Sequence, residues 1–321
     1  MCIRDRFSYQ SSLIPNGKLL SNGVTHVSIY DASGNLLPEF STQKYIQKKK
    51  SQLSLVPIEH VPGITANLYG NVENTAGNYG HWMIDALARI FLIERNHSLD
   101  DIDYFLVPIL KYDFQMDSLV ACGIPEEKVL QIDTLQCNSF ENLLCVTAPR
   151  EVSSGVCPAW AIEGYRNRLL NKSNTGKMPT RLYISRKDAS SRNFTNEPQL
   201  IELLESYGFQ SVELSKFNFA EKVSLFANAE CVVGLTGAGL TNLMFCPEGA
   251  SVLELMPGSN VNYLYTSIYG RLNLNYESLI FHTGDLLSKI NKYQGNLFLE
   301  PAVLEASLNS LLSNQPAAAQ G

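Results

Sequence analysis

The second half of the sequence alternates short apolar segments with longer amphipathic ones, and this alternation constrains the fold more than any other feature. The apolar segments predict strands at 182–184, 209–214, 231–233 and 251–255. The segments between them predict helices at 197–207, 218–228 and 239–245. Strands that are separated by helices pair in parallel through crossover connections. The second half therefore predicts a doubly wound, Rossmann-like α/β layer.

The first half begins with a β-rich segment before it turns to a similar alternation. Residues 24–30 alternate β-branched and polar side chains, and 53–58 predict a second short strand. The polar stretch 171–179 contains Gly and Pro and is the best candidate for a linker. A chain of 321 residues has room for about two domains, which we place at 1–172 and 173–321. We expect each to be Rossmann-like.

The composition argues against several classes of function. A net charge of -6 gives no basic footprint for a nucleic-acid partner. The seven cysteines form an odd set without a Cys-x-x-Cys pair, so we expect neither a disulfide framework nor a zinc site. We find no apolar run that would make a transmembrane helix and no secretory signal. We therefore expect a reduced, cytoplasmic protein, and we interpret the foreign-looking residues 1–6 as non-native.

The predicted helix over 80–96 is apolar around nearly its whole circumference, which is typical of a buried helix. His81, Asp85 and Arg89 nevertheless share one arc of it, four residues apart. Either Asp85 or His81 could take a proton from an acceptor hydroxyl. A structural hydrogen bond between the two is the alternative, and spacing leaves both open. The residues of a flexible entry, through which a ligand reaches the helix start, are Asn78, Tyr79 and Gly80.

A buried strand followed by a glycine-rich turn lies at 232–242. Such a turn lets backbone N–H groups approach phosphate oxygens. Its sequence matches neither G-x-G-x-x-G nor the Walker pattern, so it does not predict the common NAD or ATP sites. Small residues here are equally consistent with close helix–strand packing. The candidate binding residues of this turn are Thr236, Gly237, Ala238, Gly239, Thr241 and Asn242.

Two arginines follow the first strand of the second half. Arg186 comes two residues after that strand, and Arg192 lies in the loop behind it. Ligands of doubly wound sheets bind at the carboxyl ends of parallel strands. Either guanidinium could therefore donate two N–H groups to a diphosphate. The alternative is that the arginines belong to an exposed charged loop.

Several segments taken together carry a family resemblance. They are 78–85, 184–186 with Arg192, Asn196 and Glu197 downstream, 237–242, and 247–255. In this order and spacing, over about residues 70–260, the set resembles glycosyltransferase family 61. That family includes bacterial capsular-polysaccharide proteins and eukaryotic xylosyl- and N-acetylglucosaminyltransferases. One position departs from the pattern: many members have His where this chain has Thr236, so no role of that His is carried over.

The resemblance implies a GT-B-like fold, in which two Rossmann-like doubly wound domains face a cleft, here with the β-rich N-terminal segment. It also implies an inverting, metal-independent transfer from a nucleotide-sugar to a saccharide or lipid-linked saccharide acceptor, with no cofactor. The glycine-rich turn and Arg186 or Arg192 would hold the diphosphate, and Glu254 the ribose hydroxyls. Asp85 would be the base, with His81 orienting or assisting it. We expect a role in surface polysaccharide synthesis, with peripheral association at the inner face of the membrane.

Three alternatives stay open. The motif Asp101-Ile102-Asp103 matches the D-x-D of metal-dependent transferases, but the strand predicted at 104–108 follows it instead of preceding it. We therefore interpret the motif as loop charge. The same scaffold could serve a nucleotide-sugar epimerase or a pyruvyl-type transferase. A non-catalytic protein that binds nucleotide-sugars would keep the fold without turnover.

Overall fold

The computed structural model covers most of the chain in nine stretches. The described residues are 9–21, 27–42, 59–69, 77–132, 137–150, 156–170, 178–189, 191–282 and 296–314. The strand predicted at 53–58 and the residues 1–6 lie outside them, as does most of the predicted linker. The chain divides into two compact units, Met1–Arg168 and Leu169–Gly321. In the described stretches, no helix has the length and apolarity to cross a bilayer.

The first unit is built on one mixed sheet of six strands. The strands are β1 (Ser11–Ser21), β2 (Val27–Tyr30), β3 (Glu59–Asn67), β4 (Tyr104–Val107), β5 (Val129–Gln131) and β6 (Cys137–Val146). Their order in the sheet is β2-β1-β6-β3-β4-β5. Strands β3 to β6 pair in parallel, whereas β1 is antiparallel to both β2 and β6. The helices are α1 (Tyr79–His81), α2 (Arg89–Ile93), α3 (Asp113–Ala121) and α4 (Ala159–Leu169), with a π-helical segment (Trp82–Leu87) between α1 and α2.

The antiparallel strand β1 departs from the Rossmann-like layer that the sequence predicts for the first half. Its middle residues Pro15, Asn16 and Gly17 are typical of a turn, which conceals the strand in the sequence. The strand nevertheless continues through them, with Asn16 at a φ of 50°. A Cβ on Gly17 would lie 3.0 Å from the Cβ of Leu143 on β6, so a close strand approach requires the glycine. The first unit is therefore α/β with an antiparallel edge.

The second unit contains a five-stranded sheet that is parallel throughout. Its strands are β7 (Arg181–Ile184), β8 (Gln210–Val212), β9 (Cys231–Leu235), β10 (Ser251–Pro257) and β11 (Asn275–Phe281). Its helices are α5 (Glu197–Ser206), α6 (Phe219–Ala227), α7 (Thr266–Arg271) and α8 (Pro301–Ser313). The order is β11-β10-β9-β7-β8, so the direction of winding reverses between β7 and β9. In doubly wound sheets, ligands bind at the carboxyl ends of strands at such a reversal.

Local sequence signals in the second unit are confirmed where they are specific. Asn218 and Glu221 form the predicted reciprocal cap of α6, with hydrogen bonds of 2.9 and 2.8 Å between each side chain and the backbone N–H of the other. The segment predicted as a helix at 239–245 is a 3₁₀ helix over Ala238–Phe245.

All six cysteines in the described stretches are buried free thiols, as expected for small apolar core residues.

Candidate active site

The first unit holds a buried cluster of three side chains where its π-helical segment begins. Arg150 donates from Nε to Asp85 Oδ1 and from Nη2 to Asp85 Oδ2, both at 2.7 Å. The same Oδ2 lies 2.8 Å from Nδ1 of His81. Asp85 is 1% exposed and Arg150 8% exposed, whereas the His81 side chain keeps 31% of its surface exposed. The acidic and basic members of the cluster are therefore buried as a pair, and the imidazole is the part that solvent reaches.

The electrostatics of the cluster favour an ionised Asp85. Burial alone would raise the pKa of its carboxyl, but the hydrogen bonds from Arg150 and His81 and the charge of Arg150 outweigh it and hold the pKa below its ordinary value. Nδ1 of His81 lies 2.8 Å from Asp85 Oδ2 and 3.1 Å from Arg150 Nη2. Because Asp85 is ionised and makes the shorter contact, we assign the proton to Nδ1 and the lone pair to Nε2. The arrangement orients His81 as a proton acceptor better than it equips Asp85 to be one.

Arg89, the third residue of the predicted arc, is held inside the first unit. The backbone N–H of Ala88 donates to the Met83 carbonyl, five residues back, at 3.2 Å. The π-helical turn therefore changes the angle around the helix axis at which every later side chain projects. Arg89 is fully buried and donates to the carbonyls of Asp85 and Val146, at 2.8 and 2.7 Å. Its guanidinium therefore fastens the helix to β6. The prediction that Arg89 shares one arc with His81 and Asp85 assumed a regular helix, and it stays a prediction.

The residues of the predicted flexible entry have defined places in the first unit. The Asn78 side chain caps α1 by accepting the backbone N–H of His81 at 3.1 Å. The Tyr79 ring packs edge-on against Phe114, with centroids 5.1 Å apart, and Gly80 is half-buried inside α1. Asn78 thus fixes the backbone from which the imidazole projects. Contacts of these three residues with a ligand stay predictions.

The D-x-D motif has a structural role at its second aspartate. Asp103 Oδ2 accepts the backbone N–H of Ile64 on β3 at 2.7 Å. Gly63, at a φ of 76°, packs so closely that a Cβ on it would lie 2.2 Å from the same oxygen. Asp103 therefore anchors a bend in β3, in keeping with its interpretation as loop charge.

In the second unit, two arginines converge on one glycine at the winding reversal. Arg186 follows β7 and Gly237 follows β9, and these strands are neighbours in the sheet. A Cβ on Gly237 would lie 2.8 Å from Arg186 Nη1 and 3.7 Å from Arg192 Nη2. Arg192 has a φ of 61°, a strained backbone conformation for a residue other than glycine. The carboxyl end of the sheet thus brings together all three groups that the sequence assigned to the diphosphate.

Neither arginine has a carboxylate partner in the described stretches. Arg186 Nη2 donates to the Ser191 carbonyl at 2.9 Å, and Arg192 Nη1 donates to the Thr236 carbonyl at 3.0 Å. The Nε of Arg186 is buried without a hydrogen-bond partner among the described residues. Burial and the charge of Arg192 lower the pKa of Arg186, and Asp188 opposes this only through a longer-range attraction. Burial also lowers the pKa of Arg192. Two partly desolvated cations with no carboxylate within ion-pair distance among the described residues are typical of an anion site.

The glycines of the turn divide between the two roles that the sequence left open. A Cβ on Gly239 would lie 2.9 Å from Leu214 Cδ1, so this glycine allows close packing of the 3₁₀ helix. Gly237 instead borders the two guanidinium groups. Ala238 between them is half-buried. The packing interpretation therefore fits Gly239, and the anion-binding interpretation fits Gly237.

The polar residues of the turn are buried. Thr236, Thr241 and Asn242 are each 1% exposed. Thr236 Oγ1 accepts from the amide of Asn262 at 3.3 Å, and the Asn242 amide donates to the Gly239 carbonyl at 3.0 Å. Thr241 Oγ1 is buried without a partner among the described residues. The hydrogen bonds of Thr236 and Asn242 support the turn. Contacts of these three residues with a ligand stay predictions.

Glu254 occupies a closed environment on β10. Its carboxylate is 1% exposed, and Oε2 accepts from the hydroxyls of Tyr269 at 2.5 Å and Tyr276 at 3.2 Å. Burial raises the pKa of this carboxyl in spite of these hydrogen bonds. The other oxygen, Oε1, is buried without a hydrogen-bond partner among the described residues. A contact with ribose hydroxyls stays a prediction.

Sequence reasoning missed Arg150 and assigned no role to Glu197. A buried aspartate needs a cation, and an arginine just beyond the carboxyl end of β6 was the available signal. Glu197 is buried and accepts from Ser185 Oγ at 2.8 Å and from the Tyr183 hydroxyl at 3.0 Å. It therefore fixes the end of β7 from which Arg186 extends.

Comparison with known protein families identifies the family of this chain. The profile of the family described as Glycosyltransferase 61 matches residues 79–253, which is more than half of the chain. The matched region includes His81, Asp85, Arg150 and both arginines at the winding reversal. This chain belongs to the glycosyltransferase 61 family.

Several curated glycosyltransferases are similar to parts of the chain. A β-1,2-xylosyltransferase of Oryza sativa subsp. japonica is 24% identical over 215 residues, which are 64% of this chain and 34% of the relative. An α-1,3-arabinosyltransferase of the same organism is 29% identical over 98 residues, 29% of this chain and 17% of the relative. A protein O-linked-mannose β-1,4-N-acetylglucosaminyltransferase of Homo sapiens is 38% identical over 95 residues, 27% of this chain and 16% of the relative. The matched segments thus span between 16% and 34% of the length of these relatives.

Proposed function

We propose that the protein is an inverting glycosyltransferase that moves a sugar from a nucleotide-sugar to the hydroxyl of a saccharide acceptor. The observation that carries the proposal is the convergence of Arg186 and Arg192 on Gly237 without a carboxylate partner in the described stretches. The membership in glycosyltransferase family 61 supports it independently. The second unit would act as the donor domain and the first as the acceptor domain of a GT-B enzyme.

In the proposed reaction, the acceptor oxygen attacks the anomeric carbon of the donor, and the bond from that carbon to the diphosphate oxygen breaks. The two guanidinium groups stabilise the negative charge that develops on the departing nucleoside diphosphate, which is our reason for proposing a metal-independent mechanism. Nε2 of His81 takes the proton of the acceptor hydroxyl. Asp85, held by Arg150, orients the imidazole and stabilises its charged form.

This proposal retains the predicted catalytic pair and exchanges its roles. The sequence resemblance made Asp85 the base, whereas the paired, buried carboxylate and the partly exposed imidazole favour His81. We further propose a saccharide or lipid-linked saccharide acceptor in surface polysaccharide synthesis, on the cytoplasmic side of the membrane. This part of the proposal rests on the sequence resemblance.

A binding experiment tests the donor site. Thermal shift with UDP, GDP, CDP and their sugar conjugates, with and without EDTA, should show selective stabilisation that EDTA leaves unchanged. Arg186→Ala should weaken the preferred nucleotide about 10-fold or more, because a charge-assisted hydrogen bond contributes roughly 1.5–3 kcal/mol. The exposed cation Lys216 provides the control, and Lys216→Ala should bind as the wild type does. A strict metal requirement, or an unchanged affinity in Arg186→Ala, would contradict the proposed donor site.

A turnover experiment separates the transferase from its alternatives. The preferred nucleotide-sugar is incubated with the protein, alone and with an oligosaccharide panel, and the products are analysed by mass spectrometry. A transferase forms a glycosylated acceptor. A new nucleotide-sugar formed without any acceptor would indicate an epimerase, and nucleotide binding without turnover would indicate a non-catalytic protein.

A further inference from the structure

The loop after β10 exposes three large apolar side chains within four residues. Val261 is 41% exposed, Tyr263 75% and Leu264 42%. Single exposed apolar residues are ordinary on protein surfaces, but neighbouring ones commonly mark a surface that binds something. Tyr263 is the most exposed large apolar side chain among those described.

Hydrogen bonds on both sides of Tyr263 fasten this loop to the glycine-rich turn. On one side, the Asn262 amide donates to Thr236 Oγ1 at 3.3 Å. On the other, the hydroxyl of Tyr265, which is 5% exposed, donates to the Gly237 carbonyl at 2.5 Å. The exposed ring is thus attached, through its chain neighbours, to the residue on which the two arginines converge.

The loop itself is held in a turn that keeps Tyr263 at its tip. The Leu264 N–H donates to Asn262 Oδ1 at 3.2 Å, and the Thr266 hydroxyl donates to the Tyr263 carbonyl at 2.9 Å. Because its backbone is held, covering the tyrosine with a ligand costs the freedom of its side chain but little freedom of the loop. Since β10 is the parallel neighbour of β9, the loop leaves the sheet at the same edge as the glycine-rich turn.

We propose that Tyr263, flanked by Val261 and Leu264, is the surface on which the nucleobase of the donor stacks. The inference rests on the proposed nucleotide-sugar site and assigns its base-binding part. A nucleotide whose diphosphate meets Arg186 and Arg192 carries its base away from them through the ribose, and the loop of Tyr263 follows the neighbouring strand at the same carboxyl end of the sheet. Every nucleobase has an apolar π-face, which an exposed phenol ring flanked by aliphatic groups complements. Stacking of this kind contributes affinity with little discrimination between bases.

The test compares ligands with and without a base. Isothermal titration calorimetry measures the binding of UDP, GDP and inorganic pyrophosphate to the wild type and to Tyr263→Ala, Tyr263→Phe and Tyr112→Ala. Tyr263→Ala should weaken both nucleoside diphosphates about 5-fold or more, which is the lower end of the effect of losing a base–aromatic stack. It should leave pyrophosphate within about 2-fold, and Tyr263→Phe should retain wild-type affinities for all three. Tyr112, which is 51% exposed in the first unit, is the matched control, and its replacement should change nothing.

Each other outcome has a distinct meaning. Equal losses for pyrophosphate and UDP in Tyr263→Ala would show that the residue supports the turn, and this would overturn the stacking proposal. Wild-type affinities that are equal for UDP and pyrophosphate would also overturn it while leaving the anion site intact. Loss of binding to vesicles of phosphatidylcholine and phosphatidylglycerol, with UDP unaffected, would assign the loop to a membrane surface instead. If the wild type binds none of UDP, GDP and pyrophosphate, the proposed function itself fails.

Discussion

The buried pair of Asp85 and Arg150 makes a stability prediction that can be worked through from the structure. The Asp85 side chain alone is 2% exposed and the Arg150 side chain 7% exposed, and two hydrogen bonds of 2.7 Å join them. Replacing Arg150 by Met keeps much of its volume but leaves a buried carboxylate without its main partner. Breaking a buried ion pair in this way costs about 3–5 kcal/mol. With a urea m-value of about 2 kcal/mol/M, the midpoint of unfolding should fall by roughly 1.5–2.5 M.

Tryptophan fluorescence is the appropriate assay for this variant. The chain has two tryptophans, Trp82 and Trp160, and both lie in the first unit. Urea titration followed by their emission therefore reports on the unit that contains Arg150, even when the two units unfold separately. Lys111→Met removes an exposed cation from the same unit and should shift the midpoint by less than about 0.3 M.

The pH dependence gives this prediction its sign. In the wild type, the pKa of Asp85 is lowered on folding, so its contribution to stability is present above the ordinary aspartate pKa and is lost as the pH falls through the lowered value. In Arg150→Met, burial dominates and raises the pKa of Asp85, so its penalty is largest at neutral pH and is relieved as the pH falls. The deficit of the variant should therefore be smaller at pH 5 than at pH 7. A deficit that equals that of Lys111→Met, or one that does not narrow at pH 5, would refute the reasoning.

Three further predictions test other parts of the molecule. His81→Gln should lower kcat about 100-fold or more while the dissociation constant of the donor nucleotide stays unchanged, because the imidazole acts only on the acceptor; single-turnover kinetics and titration calorimetry measure the two quantities. Gly237→Ala should abolish most nucleotide binding at nearly wild-type thermal stability, since the added Cβ would lie 2.8 Å from Arg186 Nη1, at the end of a flexible side chain. Gly164→Ala should lower stability by about 1–3 kcal/mol without affecting nucleotide binding, because its Cβ would lie 2.6 Å from the ring of Phe91.

The fold of the second unit could be predicted where its apolar periodicity is strong. Strands β7, β9 and β10 are buried along most of their length, so their sequences are continuous apolar runs. Strand β11 was missed because it is an edge strand with several exposed residues, which weakens the apolar pattern. The order of strands in the sheet is a long-range property, and local patterns do not determine it.

The candidate site shows the same division between local and long-range information. The contact of His81 with Asp85 follows from a spacing of four residues, and the sequence predicts it. Arg150 lies 65 positions away from Asp85 in the sequence, and the pairing of β6 with β3 brings the two together. The π-helical turn between His81 and Arg89 departs from the regular helix that the spacing assumes, and no residue pattern in the segment reveals it.

The two sites differ in how their charges are balanced, and this difference fits a division of labour. In the first unit, Asp85 is already neutralised by Arg150 and bonded to His81, so the imidazole is oriented before any acceptor arrives. In the second unit, Arg186 and Arg192 repel each other and are partly desolvated, and both effects lower the pKa of Arg186. In the proposed reaction, a bound diphosphate relieves that repulsion, so its binding is favoured by the loss of an unfavourable interaction. The two guanidinium groups would then stabilise the additional negative charge that appears as the sugar leaves. We therefore infer that the fold alone orients the proposed proton acceptor His81, whereas the charges of the proposed donor site are balanced only when its ligand binds.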